Sequence, residues 1–265
     1  MMAIPAEQPM VAIITGGSGG IGSAIARVLA RKSATVVLTA RQAERLEEAA
    51  ETIRKATSGL VCAIPSNATS QDTIDQLVEG VVERFGRIDL LVNCAASTSS
   101  VAGDVAELDV QALLGDLDTK VCGYLRYIRA VAPVMKRQGA GRIVNIGGLT
   151  GRGSDTLSGM RNVAVSHMTK VLSDALGPDG ITVNAIHPGI VQTPHLEELL
   201  AEIAEEEGGT VAEAEADFIS RIPIRRVTDA EEIGEVIAFL ASPGAASITG
   251  EAIAIDGGYS RGVYL

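Results

Sequence analysis

The apolar run Met10-Val11-Ala12-Ile13-Ile14 passes into Thr15-Gly16-Gly17-Ser18-Gly19-Gly20-Ile21-Gly22 and then into a helical pattern at Ala24, Ile25, Val28 and Leu29. Strand, glycine turn and helix in that order confine the chain to folds in which a parallel strand feeds directly into a helix. The glycines let the backbone approach an anion closely, and the free amides at the helix start favour a pyrophosphate there.

The same alternation continues along the chain. Strands are predicted at Met10–Ile14, Thr35–Thr39, Leu60–Ile64, Leu90–Val92, Arg142–Ile146, Ile181–Ile186 and Ala252–Ile255. Between them, Leu46, Ala49, Ala50 and Ile53 keep helical spacing, as do Ile233, Val236, Ile237 and Leu240. Asp229 and Glu232 are spaced as a capping box for that last helix. Right-handed crossovers assemble such units into an α/β fold, a doubly wound seven-stranded parallel sheet in three layers, with the ligand crevice outside the carboxyl ends of the strands. No repeat or low-complexity linker divides the chain, so residues 1–265 read as one domain.

A net charge of −11 opposes nucleic acid and anionic membrane surfaces as partners, since both demand clustered Lys and Arg. No apolar run reaches membrane-span length and the start, Met1-Met2-Ala3-Ile4-Pro5, lacks a secretory pattern, which points to a cytoplasmic protein. Cys62, Cys94 and Cys122 are odd in number and lack metal-ligand spacing. They read as small buried hydrophobes, and no metal site is expected.

Where the second strand ends, at Thr39-Ala40-Arg41, there is no acid to accept from the ribose hydroxyls of NAD. Arg41 suits a 2′-phosphate instead, so the expected cofactor is NADP(H) in preference to NAD(H). A solvated helix-start arginine is the alternative.

With Thr15 to Gly22, Asn93-Cys94-Ala95-Ala96, the run Ile181 to Thr193, Ile248-Thr249-Gly250 and Asp256-Gly257-Gly258, the chain closely resembles the short-chain dehydrogenase/reductase family, whose sheet is of the Rossmann type. The resemblance spans about Met10 to Ser260. It implies that Thr15, Gly16, Ser18, Gly20, Ile21 and Gly22 hold the pyrophosphate side. It places Asn67 at the adenine, where the family has an aspartate, and Asn93 at the adenosine ribose. It sets Pro188, Gly189, Ile190 and Thr193 beside the nicotinamide. About 194–226 becomes a substrate-covering lid, acidic through Glu197, Glu198, Glu202 and Glu205-Glu206-Glu207, with a break at Gly208-Gly209.

The family's serine, tyrosine, lysine and relay asparagine fall on Gly148, Ser158, Asn162 and Lys120, so all four residue types differ. Serine is a weaker acid than a phenol, glycine has no hydroxyl, and an amide lacks the charge of an ammonium. Losing a positioned general acid typically lowers a rate by about 10²–10⁴. Lys120 either reaches the space vacated at Asn162 or snorkels to solvent. Arg161 shares a helix face with Ser158 and either orients a ligand or lies at the surface. Ser154 and Asp155 suit helix N-capping. His187 titrates near neutrality and is a weak alternative acid, whereas His167 and His195 are weaker still.

Two functions compete. One is an oxidoreductase acting on an alcohol or carbonyl of a small molecule by an atypical proton-donor arrangement. The other is an inactive NAD(P)-binding homologue serving as sensor, assembly partner or small-molecule binder. A non-redox lyase or isomerase is a third. The resemblance also implies a dimer or tetramer joined through helices at Val110–Gln138 and Asp155–Leu176.

Overall fold

The computed structural model describes residues 9–96, 106, 108–151 and 156–262. Seven parallel strands form one sheet: β1 (Val11–Thr15), β2 (Thr35–Thr39), β3 (Val61–Ala63), β4 (Leu90–Asn93), β5 (Gly141–Ile146), β6 (Ile181–Pro188) and, last in the chain, β9 (Ala252–Ile255). Their order is β3-β2-β1-β4-β5-β6-β9, which reverses between β1 and β4. Register pairs Ile13 with Val37 on one side and with Leu91 on the other. The strands differ from the sequence expectation only at their ends.

Alternate residues of each strand face opposite helical layers. Ala12, Ile14, Val36, Leu38 and Val144 pack with α1 (Gly20–Arg31), α2 (Ala43–Ala56) and α9 (Ala230–Ala241). Val11, Ile13, Val37, Leu91 and Ile143 face α3 (Gln71–Phe85), α5 (Gly123–Gln138) and the end of α6 (Gly159–Leu176). Near-continuous β-branched strands are what a sheet covered on both faces requires. The capping box at Asp229 and Glu232 forms as the spacing implies.

Four features were not foreseen. The predicted helix over 110–138 is interrupted: α4 (Val110–Leu117) passes through one π-helical turn, Asp118–Cys122, before α5. Two short strands, β7 (Val191–Gln192) and β8 (Thr228–Asp229), pair in a separate sheet. Between them lie α7 (Pro194–Glu207) and α8 (Val211–Arg221), with their own small core of Leu196, Leu200 and Ala214. The break between them falls where the sequence places it, at Gly208, in the left-handed region at φ 67°. The cysteines are not uniformly buried: Cys62 is, Cys94 is partly so, and Cys122 is exposed on the π turn. Ser154 and Asp155 lie outside the described residues.

At the end of the sheet remote from the crevice, Asp89 is buried and its carboxylate accepts from the Val11 amide at 2.8 Å and from Arg87. One side chain thus joins the entries of β1 and β4. Asp89→Ala strands both donors, and removing one partner of a buried pair costs about 3–5 kcal/mol. A guanidinium melt is expected to show that loss as a lower midpoint with an unchanged slope.

Candidate functional site

The glycine turn packs closely against the backbone behind it. Gly16 takes φ 67°, and a Cβ there would lie 3.0 Å from the Ala95 backbone. A Cβ on Gly22 would overlap the Gly16 carbonyl oxygen, so the first turn of α1 sits directly on the end of β1. Thr15 works from behind: its Oγ1 accepts from the amides of Cys94 (2.9 Å) and Ala95 (3.0 Å), joining the exits of β1 and β4.

A cavity of about 660 Å³ opens above this turn. Its wall takes in Gly16, Ser18, Gly20, Ile21 and Gly22, then Arg41 and Arg45 at one side and Thr193 and His195 at another. Thr193 caps α7, and a Cβ on Gly20 would lie 2.9 Å from its Cγ2, so the N-termini of α1 and α7 converge on one space. Two helix starts facing one cavity favour an anion such as a diphosphate. Arg41 and Arg45 are exposed guanidiniums on its rim. A hydroxyl chain runs from Thr39 through Ser66 to the buried Tyr127, whose phenol burial pushes above its ordinary value.

Other expected cofactor residues lie off this wall. The Asn67 oxygen already accepts from the Thr69 amide (3.2 Å) and hydroxyl (3.0 Å), a local turn before α3, and the neighbouring Ser66 faces the cavity. Asn93 is buried and its amide donates to Asn145 at 2.9 Å. Gly189 lies against Asp256, its amide donating to Ile255, while the Ile190 carbonyl accepts from Thr228. Pro188 closes β6.

A second, drier cluster gathers Ser158, Asn162, Gly148, Lys120 and His187. Lys120 is 3 % exposed, and its Nζ donates to the carbonyl of Gly147 (2.7 Å) and to Asn162 Oδ1 (2.8 Å). Asn162 Nδ2 donates to Thr150 Oγ1 at 2.8 Å. Snorkelling is therefore excluded for Lys120. Burial, reinforced by the Arg161 guanidinium, lowers its ammonium from the ordinary lysine value to about 7, with Cys94 and Asp116 opposing. Burial pushes the Cys94 thiol up to about 11.

Arg161 is neither at the surface nor in the cavity; it forms an ion pair with the buried Asp116 of α4. His187 is buried against Gly147 and Gly151, with Nε2 2.8 Å from Ser166 Oγ and Nδ1 3.0 Å from the Gly148 carbonyl. His167 is exposed, and His195 sits 3.9 Å from Glu198. Ser158 is buried at the start of α6. Among the described residues no three His, Cys, Asp or Glu side chains gather where a metal ion would sit, and no helix is long and apolar enough to cross a membrane.

Asp116 went unnoticed in the sequence. Its signal was the spacing Asp116, Lys120, Tyr124, Tyr127, one stripe of the helix whose members are all buried. For the cradle, Gly22→Ala must displace the Gly16 carbonyl. Dinucleotide affinity is expected to fall at least about tenfold by fluorescence titration, with a stability loss of about 1–3 kcal/mol.

The family profile described as enoyl-(acyl carrier protein) reductase matches residues 16–260. A short-chain reductase protein, NovJ, of Streptomyces niveus is 34% identical over 261 residues, covering 96% of this chain and 95% of that one. A 3-oxoacyl-(acyl-carrier-protein) reductase of Thermotoga maritima is 34% identical over 252 residues, covering 94% and 96%. Among solved structures, L-sorbose reductase from Gluconobacter frateurii complexed with NADPH and L-sorbose superposes with TM-score 0.89 at 29% identity, covering 97% and 98%. A variant of actinorhodin polyketide ketoreductase with NADPH gives TM-score 0.89 at 32% identity, covering 98% and 100%. On this sequence match and the shared seven-stranded fold, the chain belongs to the short-chain dehydrogenase/reductase family.

Proposed function

We infer that the protein is an NADP(H)-dependent oxidoreductase that interconverts a carbonyl and an alcohol on a small molecule. The observation that carries this reading is the cavity above the glycine turn, with two helix N-termini facing it and two arginines, Arg41 and Arg45, on its rim. Gly16, Gly19, Gly20 and Gly22 present side-chain-free backbone to that cavity, so the residues fit the group. Relatives named as reductases and structures holding NADPH support the same cofactor.

In this reading Thr15, Gly16, Ser18, Gly20, Ile21, Gly22 and Thr193 hold the diphosphate side, and Arg41 takes the 2′-phosphate through its fork of donors. Ser66 and Asn67 lie toward the adenine, Asn93 beneath the ribose. Pro188, Gly189 and Ile190 form the nicotinamide side, and α7 with α8 covers the substrate. Gly148, Ser158, Asn162 and Lys120 occupy the family's catalytic positions with changed chemistry. Bound nicotinamide supplies hydride; the chain positions the carbonyl and handles the proton.

Arg41→Ala is expected to weaken NADPH binding by about 10–100-fold, the worth of a charge-assisted pair, and to leave NADH nearly unaffected. Equal losses for both cofactors would remove the 2′-phosphate assignment. Disappearance of NADPH absorbance over a panel of ketones and aldehydes tests turnover. Tight binding without turnover would make the chain a cofactor-binding homologue instead.

Leu114, Leu125, Met160, Val163 and Val171 are exposed apolar residues on α4, α5 and α6. They support a homo-oligomer joined through these helices. A monomeric mass by light scattering at micromolar concentration would contradict it.

A further inference from the structure

We propose that Lys120 is the proton donor of this site, its ammonium delivering a proton to the substrate oxygen during reduction and retrieving it during oxidation. The proposal rests on the oxidoreductase reading above and adds the group that reading lacks.

An ammonium carries three N–H donors. Two are taken, by Gly147 O and Asn162 Oδ1, and no other acceptor for Lys120 occurs among the described residues. Both acceptors are neutral, so the charge itself is not cancelled by direct contact. Their positions fix where the amine lies: buried at the exit of β5 and against α6, behind the cavity wall that the preceding residue, Thr119, lines. The carboxyl ends of the strands are where a parallel α/β sheet presents its ligands. A substrate oxygen entering there is the natural third acceptor.

The π turn Asp118–Cys122 supports this placement. It carries Lys120 inward on the same stripe as Asp116 and Tyr124, while Cys122 two residues on is exposed. Such turns recur at functional sites.

Other titratable groups around the amine fail as donors by their own bonds. The Tyr124 hydroxyl donates to the Ile146 carbonyl at 3.0 Å, and burial holds its phenol well above the ordinary value. His187 has partners at both ring nitrogens and lies behind Gly147. Asp116 is in its ion pair with Arg161. Cys94 holds its proton more tightly than an ordinary thiol. Among the described residues around the amine, Lys120 alone combines an open donor with an affinity for protons near the working range, about 7.

The carbonyl carbon receives a hydride, the C=O pair shifts to oxygen, and that oxygen takes a proton from Nζ, leaving a neutral amine that water reprotonates. Reduction needs the ammonium, so its rate falls as pH rises through about 7; oxidation needs the amine and rises there.

Two variants and one spectrum test this. Lys120→Met removes charge and proton, whereas Lys120→Arg keeps the charge but cannot release a proton. Both are expected to bind NADPH within about threefold of the parent and to lose about 10²–10⁴ in turnover. Survival of more than about a tenth of the turnover in either variant overturns the proposal, as does NADPH binding without turnover in the parent protein. Should a variant fail to fold, the parent labelled with [¹³Cε]lysine decides, the Lys120 line being the one that shifts alone near neutrality. A line titrating near 7 supports the assignment, and every lysine line titrating at about 10 or above overturns it. Failure to bind NADPH at all would instead sink the oxidoreductase reading, before the proton question arises.

Discussion

The packing of Gly22 on the Gly16 carbonyl, too close for a Cβ, sets the geometry of everything above the sheet. Because neither residue has a side chain, α1 starts on the end of β1 rather than beside it, and its free amides point over the strand exits. The sheet order reverses between β1 and β4, which leaves a gap between diverging crossovers at that same point. Thr15 holds the gap's two edges together through the Cys94 and Ala95 amides. Thr193 then brings the start of α7 against Gly20, so a helix from the far end of the chain completes the cradle.

The cavity rim and the buried Lys120 cluster are electrostatically unlike. At the rim, Arg41 and Arg45 are solvated, where a phosphate can exchange water for guanidinium donors at little desolvation penalty. Around Lys120 the charges are buried, and charges without water must be held by partners. Asp116 and Arg161 pair across α4 and α6, and Lys120 rests on two neutral oxygens. Nearly complete burial lowers proton affinity there without removing the lysine's capacity to donate hydrogen bonds. The rim thus presents solvated cations, whereas the Lys120 cluster keeps its charges out of water.

The sheet was legible because β-branched runs and amphipathic spacing report local periodicity, which the tertiary structure keeps. The glycine turn and Arg41 were legible for the same reason: backbone clearance and strand-end position follow from sequence order. The fate of Lys120, Arg161 and Asn67 was not. Lys120 and Arg161 are long side chains whose partners lie 42 and 45 residues away, and no spacing rule reaches that far. The local bond of Asn67 was missed for the opposite reason, since its partner Thr69 is only two residues on. The π turn was invisible too, because it changes which backbone groups pair over Asp118–Cys122, and no side chain there marks that change.

Viewed as a sequence, the changes at Gly148, Asn162 and Lys120 look like separate losses; in the fold they constrain one another. A serine at 148 would bring its Cβ to 2.8 Å from Asn162 Nδ2, so the amide and the glycine belong together. A Cβ at Gly151 would meet the Asn162 Cβ at 2.8 Å and the His187 ring at 3.1 Å, which extends the interdependence along the loop. The Asn162 oxygen in turn receives the Lys120 ammonium, and its nitrogen reaches Thr150, so its orientation is set from both ends. A lysine at 162 would set a second ammonium against the first, a repulsion the dry surroundings would amplify. An amide there removes that repulsion and supplies an acceptor. The ammonium therefore arrives from the π turn of one helix onto the face of another, and the glycines beside it are the room that this arrangement requires.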